Sequence, residues 1–308
     1  MAKAIQNIVD FDSDSFSANG ITGAFANSGF QATNIADAAA LIEKMKKEKA
    51  TIILSFTANM VATGMRGMIA ELCRKKFVDA IITTAGSVDH DIIKSFVPYY
   101  LGSFDADDSE LHAKGINRIG NIFVPTKGFE VLEQKIRPVY KKMLEGKRPF
   151  SPSELNSEIG GILGKDSFLY WCRKNSIPVF CPGITDGAIG LQMYFFRQDN
   201  PGFIVDVTKD MKELADIVLN ADKTGAIILG GGISKHHTIG VNILREGLDY
   251  AVYVSTAGEF DGSLSGARPK EAKSWGKLKE KGSSVHVFCE ATIAVPLIVA
   301  SLKEKGLL

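Results

Sequence analysis

Short apolar runs rich in isoleucine and valine alternate with longer amphipathic stretches along most of this chain. The run Thr51–Phe56 predicts a buried strand, and residues 60–75 predict the helix that follows it. The pattern then recurs, and further strands are predicted at residues 78–83, 121–124, 177–181, 203–207, 226–229, 250–255 and 285–288. Strands that alternate with helices are typical of a parallel sheet. We therefore predict an α/β fold with a mostly parallel, doubly wound (Rossmann-like) sheet that carries helices on both faces.

The N-terminal part of the chain predicts a helix that packs on this sheet. Apolar residues recur at helical spacing after Asn34, and the lysines that follow suit the C-terminal end of a helix dipole. No linker rich in proline, glycine and serine divides the 308 residues, and no internal repeat is present. We therefore predict one domain over residues 1–308, with an N-terminal helical segment over residues 1–50 packed on it.

The charge balance argues against one large class of partners. The chain has 36 Lys+Arg residues against 35 Asp+Glu residues, so it lacks the basic excess typical of nucleic-acid binding. The first residues contain no apolar core with a small-residue cleavage site, and no run reaches the roughly 18 apolar residues of a membrane span. We therefore expect a soluble, cytoplasmic protein with neither a nucleic-acid nor a membrane partner.

The cysteines and histidines give little support to metal chemistry. The cysteines have no CxxC spacing and no secretory context, which favours reduced, mostly buried thiols. They are Cys73, Cys172, Cys181 and Cys289. His236 and His237 are adjacent, and adjacent side chains on a helix point about 100° apart, so they would not form a pair of ligands on one face. No metal site is predicted.

Polar and glycine residues follow several predicted strands. In open α/β sheets the ligand crevice lies outside the carboxyl ends of the strands. Gly230, Gly231 and Gly232 follow such a strand, so their amides either meet a pyrophosphate at a helix N-terminus or form a tight turn. Asp186 either contacts a ligand or caps the helix that begins near Gly187. The sequence lacks G-x-G-x-x-G, so these residues alone make only a weak case for NAD.

Segment 259–277 contains the most specific candidate for covalent chemistry. It combines glycines, hydroxyls and acids, and it ends in Ser274-Trp-Gly-Lys277. A lysine attacks carbon only as the free amine, and burial beside an aromatic wall favours that form. Lys277, next to Trp275, is therefore the candidate nucleophile. The alternative is that Lys277 is an ordinary solvated surface lysine.

Two residues after the glycine triplet are also candidates. Lys235 is a second possible nucleophile. His236 either transfers protons near neutral pH or has a structural role early in its helix.

Five further motifs recur, in the same order, in one enzyme family. They are Thr57-Ala-Asn-Met-Val-Ala-Thr-Gly64, Thr83-Thr-Ala-Gly86, Gly115-Ile-Asn-Arg-Ile-Gly-Asn121, Ile184-Thr-Asp-Gly187 and Gly230-Gly-Gly-Ile-Ser-Lys-His-His237. Together with the Ser-Trp-Gly-Lys segment, they make the chain resemble the deoxyhypusine synthases from about Ala50 to its C-terminus. In that family, the lysine of Ser-Trp-Gly-Lys forms a covalent imine with part of spermidine.

The resemblance implies a reaction, a cofactor and an assembly. The reaction is NAD-dependent transfer of the 4-aminobutyl group of spermidine to a lysine of the translation factor 5A precursor. It proceeds through an imine on Lys277, and 1,3-diaminopropane leaves. The resemblance also implies a homotetramer with its sites at subunit interfaces. The protein is thus expected to be a transferase that uses NAD.

The resemblance also implies roles for individual residues. Lys277 and His236 are the implied catalytic residues. The implied cofactor-binding residues are Asn59, Thr84, Ala85, Gly86, Asp186, Gly231, Thr256, Ala257, Gly262, Ser263, Glu290 and Ala291. The implied substrate-binding residues are Trp275, Glu271, His90, Asp89 and Ser265.

The chain departs from eukaryotic members of the family at three positions. Those members hold the polyamine with acids where this chain has His90, Leu191 and Leu264. The stretches Asp89-His-Asp91 and Asp261-Gly-Ser-Leu264 instead resemble the archaeal branch of the family. Four acids remain as candidate partners for the ammonium groups of the substrate: Asp89, Asp91, Glu259 and Asp261.

These departures leave other functions open. One is aminobutyl transfer to a small amine, as in homospermidine synthesis. Another is the use of agmatine as the donor. A third is a non-catalytic NAD-binding paralogue that holds the translation factor without modifying it, although the presence of Lys277, Trp275 and His236 counts against this third alternative.

Overall fold

The computed structural model of the protein describes residues 6–7, 22, 25–26 and 28–308. The strands are β1 (Gln6–Asn7), β2 (Thr51–Phe56), β3 (Ala80–Ile82), β4 (Tyr100–Leu101), β5 (Ile116–Ile119), β6 (Ile122–Pro125), β7 (Val179–Phe180), β8 (Thr224–Leu229), β9 (Leu248–Val254) and β10 (Leu278–Val287). The helices are α1 (Phe30–Lys47), α2 (Ala58–Ala62), α3 (Met65–Arg74), α4 (Ala85–Lys94), α5 (Asp108–Ala113), α6 (Lys127–Glu145), α7 (Pro152–Gly160), α8 (Phe168–Asn175), α9 (Ala188–Asp199), α10 (Thr208–Leu219), α11 (Gly232–Val241), α12 (Pro269–Ser274) and α13 (Ala291–Glu304). A short 3₁₀ helix, Asn242–Arg245, follows α11.

The main sheet has six parallel strands in the order β10-β9-β8-β2-β3-β7. The chain runs outward from β2 through β3 to β7, returns to the centre at β8, and runs outward again to β10. The strand order therefore reverses between β2 and β8, where Thr51 pairs with Thr224 and Phe56 with Leu229. This is the doubly wound topology, and it places a ligand crevice at the carboxyl ends of β2 and β8. The predicted fold is confirmed.

Alternate residues of the strands pack on opposite faces of the main sheet. On one face, Ile52 and Leu54 of β2 belong to a large core that includes Met45 of α1 and Val295 of α13. On the other face, Ile53 of β2 packs in a cluster with residues of α10, and Tyr253 of β9 packs in a cluster with residues of α11 and α12. The alternation follows from the period of two residues in a strand. Both faces are thus covered by helices.

Helix α1 buries the apolar residues whose helical spacing the sequence displays. They are Ile35, Ala38, Leu41, Ile42 and Met45. Most of residues 1–29 in the predicted N-terminal segment lie outside the described residues. None of the described helices is both long enough and apolar enough to cross a lipid bilayer. The four cysteines are free thiols, of which only Cys289 is not fully buried.

Two predicted strands do not belong to the main sheet. Residues 121–124 correspond to β6, which lies in an antiparallel sheet of order β1-β4-β6-β5. Residues 203–207 form no strand and make a single bridge, from Val205 to Phe150. The side chain of Phe203 instead packs against the rings of Tyr140, Phe150 and Phe196. Phe203 is buried in this aromatic cluster, whereas Ile204 and Val207 are exposed.

The helix predicted at residues 60–75 is two helices, α2 and α3. Thr63 separates them because its backbone is extended, with ψ of −175°. Its hydroxyl accepts a hydrogen bond from the amide of Met65 at 3.1 Å, at the start of α3. A threonine side chain that bonds to nearby backbone competes with helix continuation.

Candidate active site

A turn at the end of α12 places Lys277. Trp275 ends the helix, and Gly276 has a φ of +65°. The amide of Gly276 donates to the carbonyl of Lys273 at 3.0 Å, and the amide of Lys277 donates to the carbonyl of Ala272 at 2.9 Å. This pair of bonds is a Schellman motif, whose left-handed position favours glycine. The Trp-Gly-Lys spacing thus sends Lys277 back beneath its own helix and into β10.

The amine of Lys277 is mostly buried and lies beside an imidazole. Lys277 is 9% exposed, and its Nζ lies 3.4 Å from Nε2 of His236. The same Nζ lies 5.2 Å from the centroid of the Trp275 ring. Trp275 is 65% exposed, so it forms an outer wall and not a core contact. The arrangement gives an amine, a group that can exchange a proton with it, and an aromatic surface for a cation.

These residues line a pocket of about 340 Å³ on the face of the main sheet covered by α11 and α12. Glu271 lines it as well, so the pocket brings together both predicted catalytic residues and two predicted substrate-binding residues. Lys277 precedes β10, so the pocket extends down the sheet face from the carboxyl edge. It is large enough for a small ligand.

The structure adds residues to this pocket that the sequence alone did not assign to the site. They are Ile239, Tyr253, Ala267, Arg268 and Ala272, and the pocket also includes Leu264, one of the three positions where the chain departs from eukaryotic members. Tyr253 is 2% exposed, and its hydroxyl has no hydrogen-bond partner among the described residues. A tyrosine inside an apolar strand was the available signal, because a buried phenol normally has a hydrogen-bond partner.

Lys235 lines the same pocket but does not fit the role of nucleophile. It is 2% exposed, and its Nζ donates to the carbonyls of Leu264 at 2.8 Å, Ser265 at 3.2 Å and Ala267 at 2.6 Å. Burial lowers the pKa of Lys235 to about 8. Three accepting carbonyls occupy the three donors of an ammonium group. These contacts favour Lys277 over Lys235 as the nucleophile.

The predicted cofactor-binding residues follow the ends of the parallel strands. Asn59 follows β2, Thr84 to Gly86 follow β3, Asp186 follows β7, Gly231 follows β8, Thr256 to Ser263 follow β9, and Glu290 and Ala291 follow β10. The turns approach each other closely. A Cβ atom on Gly86 would lie 2.8 Å from Cβ of Ala58, and one on Gly230 would lie 2.9 Å from the hydroxyl of Thr57. The turns after β2, β3 and β8 therefore meet where the strand order reverses.

Two helices that begin at this edge leave donors for an anion. Thr84 precedes α4 and Glu290 precedes α13, and neither side chain caps a backbone amide of its helix. Uncapped amides at a helix N-terminus favour a phosphate group. The amides of the glycine triplet are less available than predicted. That of Gly230 donates to Val254 at 2.9 Å, and that of Gly232 donates to the hydroxyl of Ser265 at 3.0 Å.

Helix α9 is capped by Asp89, not by Asp186. The carboxylate of Asp89 accepts from the amides of Ala188 at 2.7 Å and Ile189 at 2.8 Å. The capping alternative for Asp186 is therefore wrong, because a residue distant in sequence provides the cap. Asp89 is 4% exposed, and burial raises its pKa to about 6. Both of its oxygens have donors within the fold, which argues against its predicted contact with an ammonium group.

The other residues of the Asp89-His-Asp91 stretch also bond within the fold. Nδ1 of His90 lies 2.7 Å from the hydroxyl of Tyr99, and burial lowers the pKa of His90 to about 4. Asp91 is fully buried and forms an ion pair with Arg66 at 2.7 Å. His90 and Asp91 do not line the Lys277 pocket. The assignment of Asp91 to an ammonium group is therefore wrong for the described chain.

The two acids of the loop after β9 also have partners. Glu259 forms an ion pair with Arg268. The carboxylate of Asp261 accepts from the amide of Ser263 at 2.7 Å. Ser265 lies beside the pocket, where its hydroxyl bonds to Gly232.

A second cavity, of about 400 Å³, lies near the amino end of β7. Charged residues of α7 and α8 line it, including Glu154, Glu158 and Arg173. It contains none of the predicted site residues, and two of its glutamates are held in ion pairs, Glu154 with Arg148 at 2.8 Å and Glu158 with Arg173 at 3.1 Å. We therefore assign the active site to the smaller pocket around Lys277.

Comparison with known proteins gives one family over nearly the whole chain. The family model described as deoxyhypusine synthase matches residues 20–302. A protein named probable deoxyhypusine synthase from Thermoplasma acidophilum is 46% identical over 274 residues, which are 88% of each chain. The deoxyhypusine synthase of Senecio vernalis is 42% identical over 311 residues, covering 91% of this chain and 84% of its own length.

A solved structure extends the similarity to the fold. The crystal structure of a candidate deoxyhypusine synthase from Entamoeba histolytica aligns with a TM-score of 0.69 and 27% identity, over 95% of this chain and 96% of that chain. Sequence and fold thus agree over the same length. The chain belongs to the deoxyhypusine synthase family and is a transferase enzyme.

Proposed function

We propose that this transferase moves the 4-aminobutyl group of spermidine to a lysine of the translation factor 5A precursor, with Lys277 as the residue that carries the group. The observation that supports this most directly is the buried Lys277 amine, 3.4 Å from Nε2 of His236 and beside the exposed ring of Trp275. Family membership supports the same reaction. We expect the protein and its acceptor to meet in the cytoplasm.

NAD would lie at the carboxyl ends of β2, β3 and β8. The uncapped N-termini of α4 and α13 would face its phosphates. The turns at Gly86 and Gly231 leave little room for side chains, and Asn59 lies just after β2 at the same edge. When bound there, NAD would accept a hydride from the donor amine and return one to the product imine. These residues and Asp186 are the proposed cofactor contacts.

Lys277 then acts on the oxidised carbon of the donor. Its nitrogen forms a bond to that carbon as the bond to the leaving amine breaks, and the displaced fragment is 1,3-diaminopropane. One proton leaves the Lys277 nitrogen and one reaches the leaving amine, so the exchange balances without an added oxidant. His236 is placed to move that proton, because its Nε2 lies 3.4 Å from the Lys277 nitrogen. The acceptor lysine repeats the exchange and releases Lys277.

The pocket walls suit a long amine. Trp275 offers an aromatic face to an ammonium group, and Glu271 offers a carboxylate at the pocket edge. Tyr253 contributes a buried hydroxyl. A polyamine with an apolar stem and charged ends would thus find an aromatic wall and an acid in one pocket.

We also propose that the protein is a homotetramer whose active sites lie at subunit interfaces. Helix α9 exposes Leu191, Tyr194 and Phe195, each by more than half of its surface. Adjacent exposed apolar side chains often mark an interface. Light scattering on the purified protein tests this directly. A mass of four chains is expected, and a monomer at micromolar concentration would contradict the proposal.

A second candidate function is transfer from agmatine or transfer to a small amine. Leu264 lines the Lys277 pocket at a position where eukaryotic members of the family carry an acid. A less acidic pocket suits a donor with fewer ammonium groups, because each desolvated ammonium needs a partner. With any of these donors, Lys277 keeps the same role.

The test is intact-mass analysis of a matched translation factor 5A precursor after incubation with the protein, NAD and one donor. Spermidine, agmatine and putrescine are compared, each with wild type and Lys277→Ala. The proposal predicts a gain of one aminobutyl unit from spermidine that the variant abolishes. A guanidino-bearing mass gain that appears only with agmatine would identify agmatine, not spermidine, as the donor. Formation of homospermidine with no modified translation factor would identify a small amine, not the protein, as the acceptor. Tight binding of the factor with no product from any donor would indicate a non-catalytic paralogue.

A further inference from the structure

The loop over residues 258–268 connects the cofactor side of the site to the Lys277 pocket. The family resemblance implies that Gly262 and Ser263 contact the cofactor, whereas Leu264, Ala267 and Arg268 line the pocket. A shift of this loop would therefore alter both halves of the site. The contacts that hold the loop in place therefore determine how the cofactor side and the Lys277 pocket are aligned.

The loop closes on itself at its base. A Cβ atom on Gly266 would lie 1.6 Å from the carbonyl oxygen of Gly258, so the two ends touch backbone to backbone. Glu259 and Arg268 form an ion pair across the same base. Compact loops of this kind depend on contacts outside themselves for their position on the protein.

Lys235 supplies the main external contact. Its Nζ donates to three successive parts of the loop, the carbonyls of Leu264, Ser265 and Ala267, at 2.8, 3.2 and 2.6 Å. The ring of Tyr253 lies on another side of the ammonium, with its centroid 4.6 Å from Nζ. Hydrogen bonds from a charged donor are stronger than those between neutral groups. One buried side chain thus holds the second half of the loop.

A second contact ties the loop to the start of α11. The hydroxyl of Ser265 accepts from the amide of Gly232 at 3.0 Å. A Cβ atom on Gly231 would lie 2.4 Å from that hydroxyl, so the loop packs directly on the glycine turn after β8. Lys235 and the glycine turn belong to the same stretch of chain. The loop is therefore set against the switch point of the sheet.

From this geometry we infer that Lys235 is a positioning residue, which holds loop 258–268 so that its cofactor and amine contacts face Lys277 at the same time. The inference rests on the proposed function and adds a determinant of substrate affinity to it. Lys235 acts through the three loop carbonyls and forms no bond to the transferred group. Its replacement therefore weakens binding more than it slows the chemical step.

The experiment compares two Lys235 variants with a variant of a lysine that does not contact loop 258–268. Lys235→Met keeps the length of the side chain and removes the donors. Lys235→Arg keeps the charge but spreads its donors over a plane, so they no longer converge on three carbonyls from one atom. The control is Lys273→Met, because Lys273 donates to a single carbonyl, that of Glu280, at 2.7 Å. Hydrogen exchange of peptides covering residues 258–268 is measured on each full-length protein, together with KM and kcat for the donor amine.

We expect Lys235→Met to raise both loop exchange and KM for the amine by at least about tenfold, with a smaller effect on kcat. Lys235→Arg changes both in the same direction by less, and it carries the test if Lys235→Met does not fold. Lys273→Met leaves both near wild type. Wild-type loop exchange in the Lys235 variants would overturn the inference, as would a loss of kcat with unchanged KM. Absence of transfer by the wild-type protein would instead refute the proposed function, and the exchange comparison would still decide the role of Lys235.

Discussion

Nζ of Lys277 and Nε2 of His236 lie 3.4 Å apart although the residues are separated by 41 positions in the chain. The contact forms because α11 and the turn after α12 cover the same face of the sheet. If His236 moves the proton of the exchange, His236→Gln should lower kcat by about 10²-fold or more. The rate of adduct formation on Lys277 measures this step. His237→Gln is the control, since His237 does not line the pocket, and an equal loss in both variants would contradict the assignment.

Gly276 positions Lys277 through its backbone conformation alone. Its φ is +65°, and a Cβ atom there would meet nothing within 4 Å. Gly276→Ala should therefore destabilise the protein by about 1 kcal/mol through strain, without a steric clash, and should reduce activity by misplacing Lys277. Gly164→Ala is the control, because that site is equally open and needs no positive φ. Urea unfolding and turnover of both variants test the point, and equal stabilities would refute it.

Asp89 should make stability depend on pH. Burial raises the pKa of its carboxyl from 3.8 to about 6, so the folded protein holds a proton in a range where the unfolded chain has lost it. Its contribution to stability is therefore complete below pH 3.8 and is lost as pH rises through 6. In Asp89→Asn this contribution disappears. The difference in free energy of unfolding between wild type and Asp89→Asn should fall by ~2 kcal/mol from pH 4 to pH 7. A difference that stays constant over this range would contradict the account, and Asp107→Asn, at an exposed cap of α5, is the control.

Leu264 offers a test of how the pocket selects its donor. Its side chain lines the Lys277 pocket, whereas its carbonyl is the atom that Lys235 holds. Leu264→Asp adds a carboxylate without changing that backbone contact and should lower KM for spermidine by about tenfold through charge attraction. Leu264→Asn controls for polarity. If both variants have the KM of wild type, the side chain does not face the donor.

The elements that the sequence predicted well are those whose apolar pattern reports burial alone. The strand Thr51–Phe56 has the predicted bounds, because all of its neighbours are buried strands or helices. Helix α1 follows its predicted spacing for the same reason. The run at 203–207 is also apolar, but its backbone pairs only at the Val205–Phe150 bridge, and of its apolar side chains Phe203 packs in an aromatic cluster while Ile204 and Val207 are exposed. The sequence does not distinguish such a segment from a strand.

For the site, local spacing indicated the Lys277 turn, and resemblance indicated its partner His236. Contacts between distant segments were not readable. Asp89 caps a helix about 100 residues later in the chain, and Lys235 bonds to carbonyls about 30 residues away. Both depend on the strand order that brings their segments together. Whether such a charged residue is buried cannot be predicted until the segment that contacts it is known.

The most direct test of the account is borohydride trapping with NAD and spermidine, followed by peptide mass analysis. Borohydride reduces an imine to a stable amine, so the residue that carries the aminobutyl group retains its added mass. The account predicts one such adduct, on the peptide that contains Lys277, and none in Lys277→Ala. An adduct on Lys235, or transfer to the acceptor with no adduct on Lys277, would contradict it.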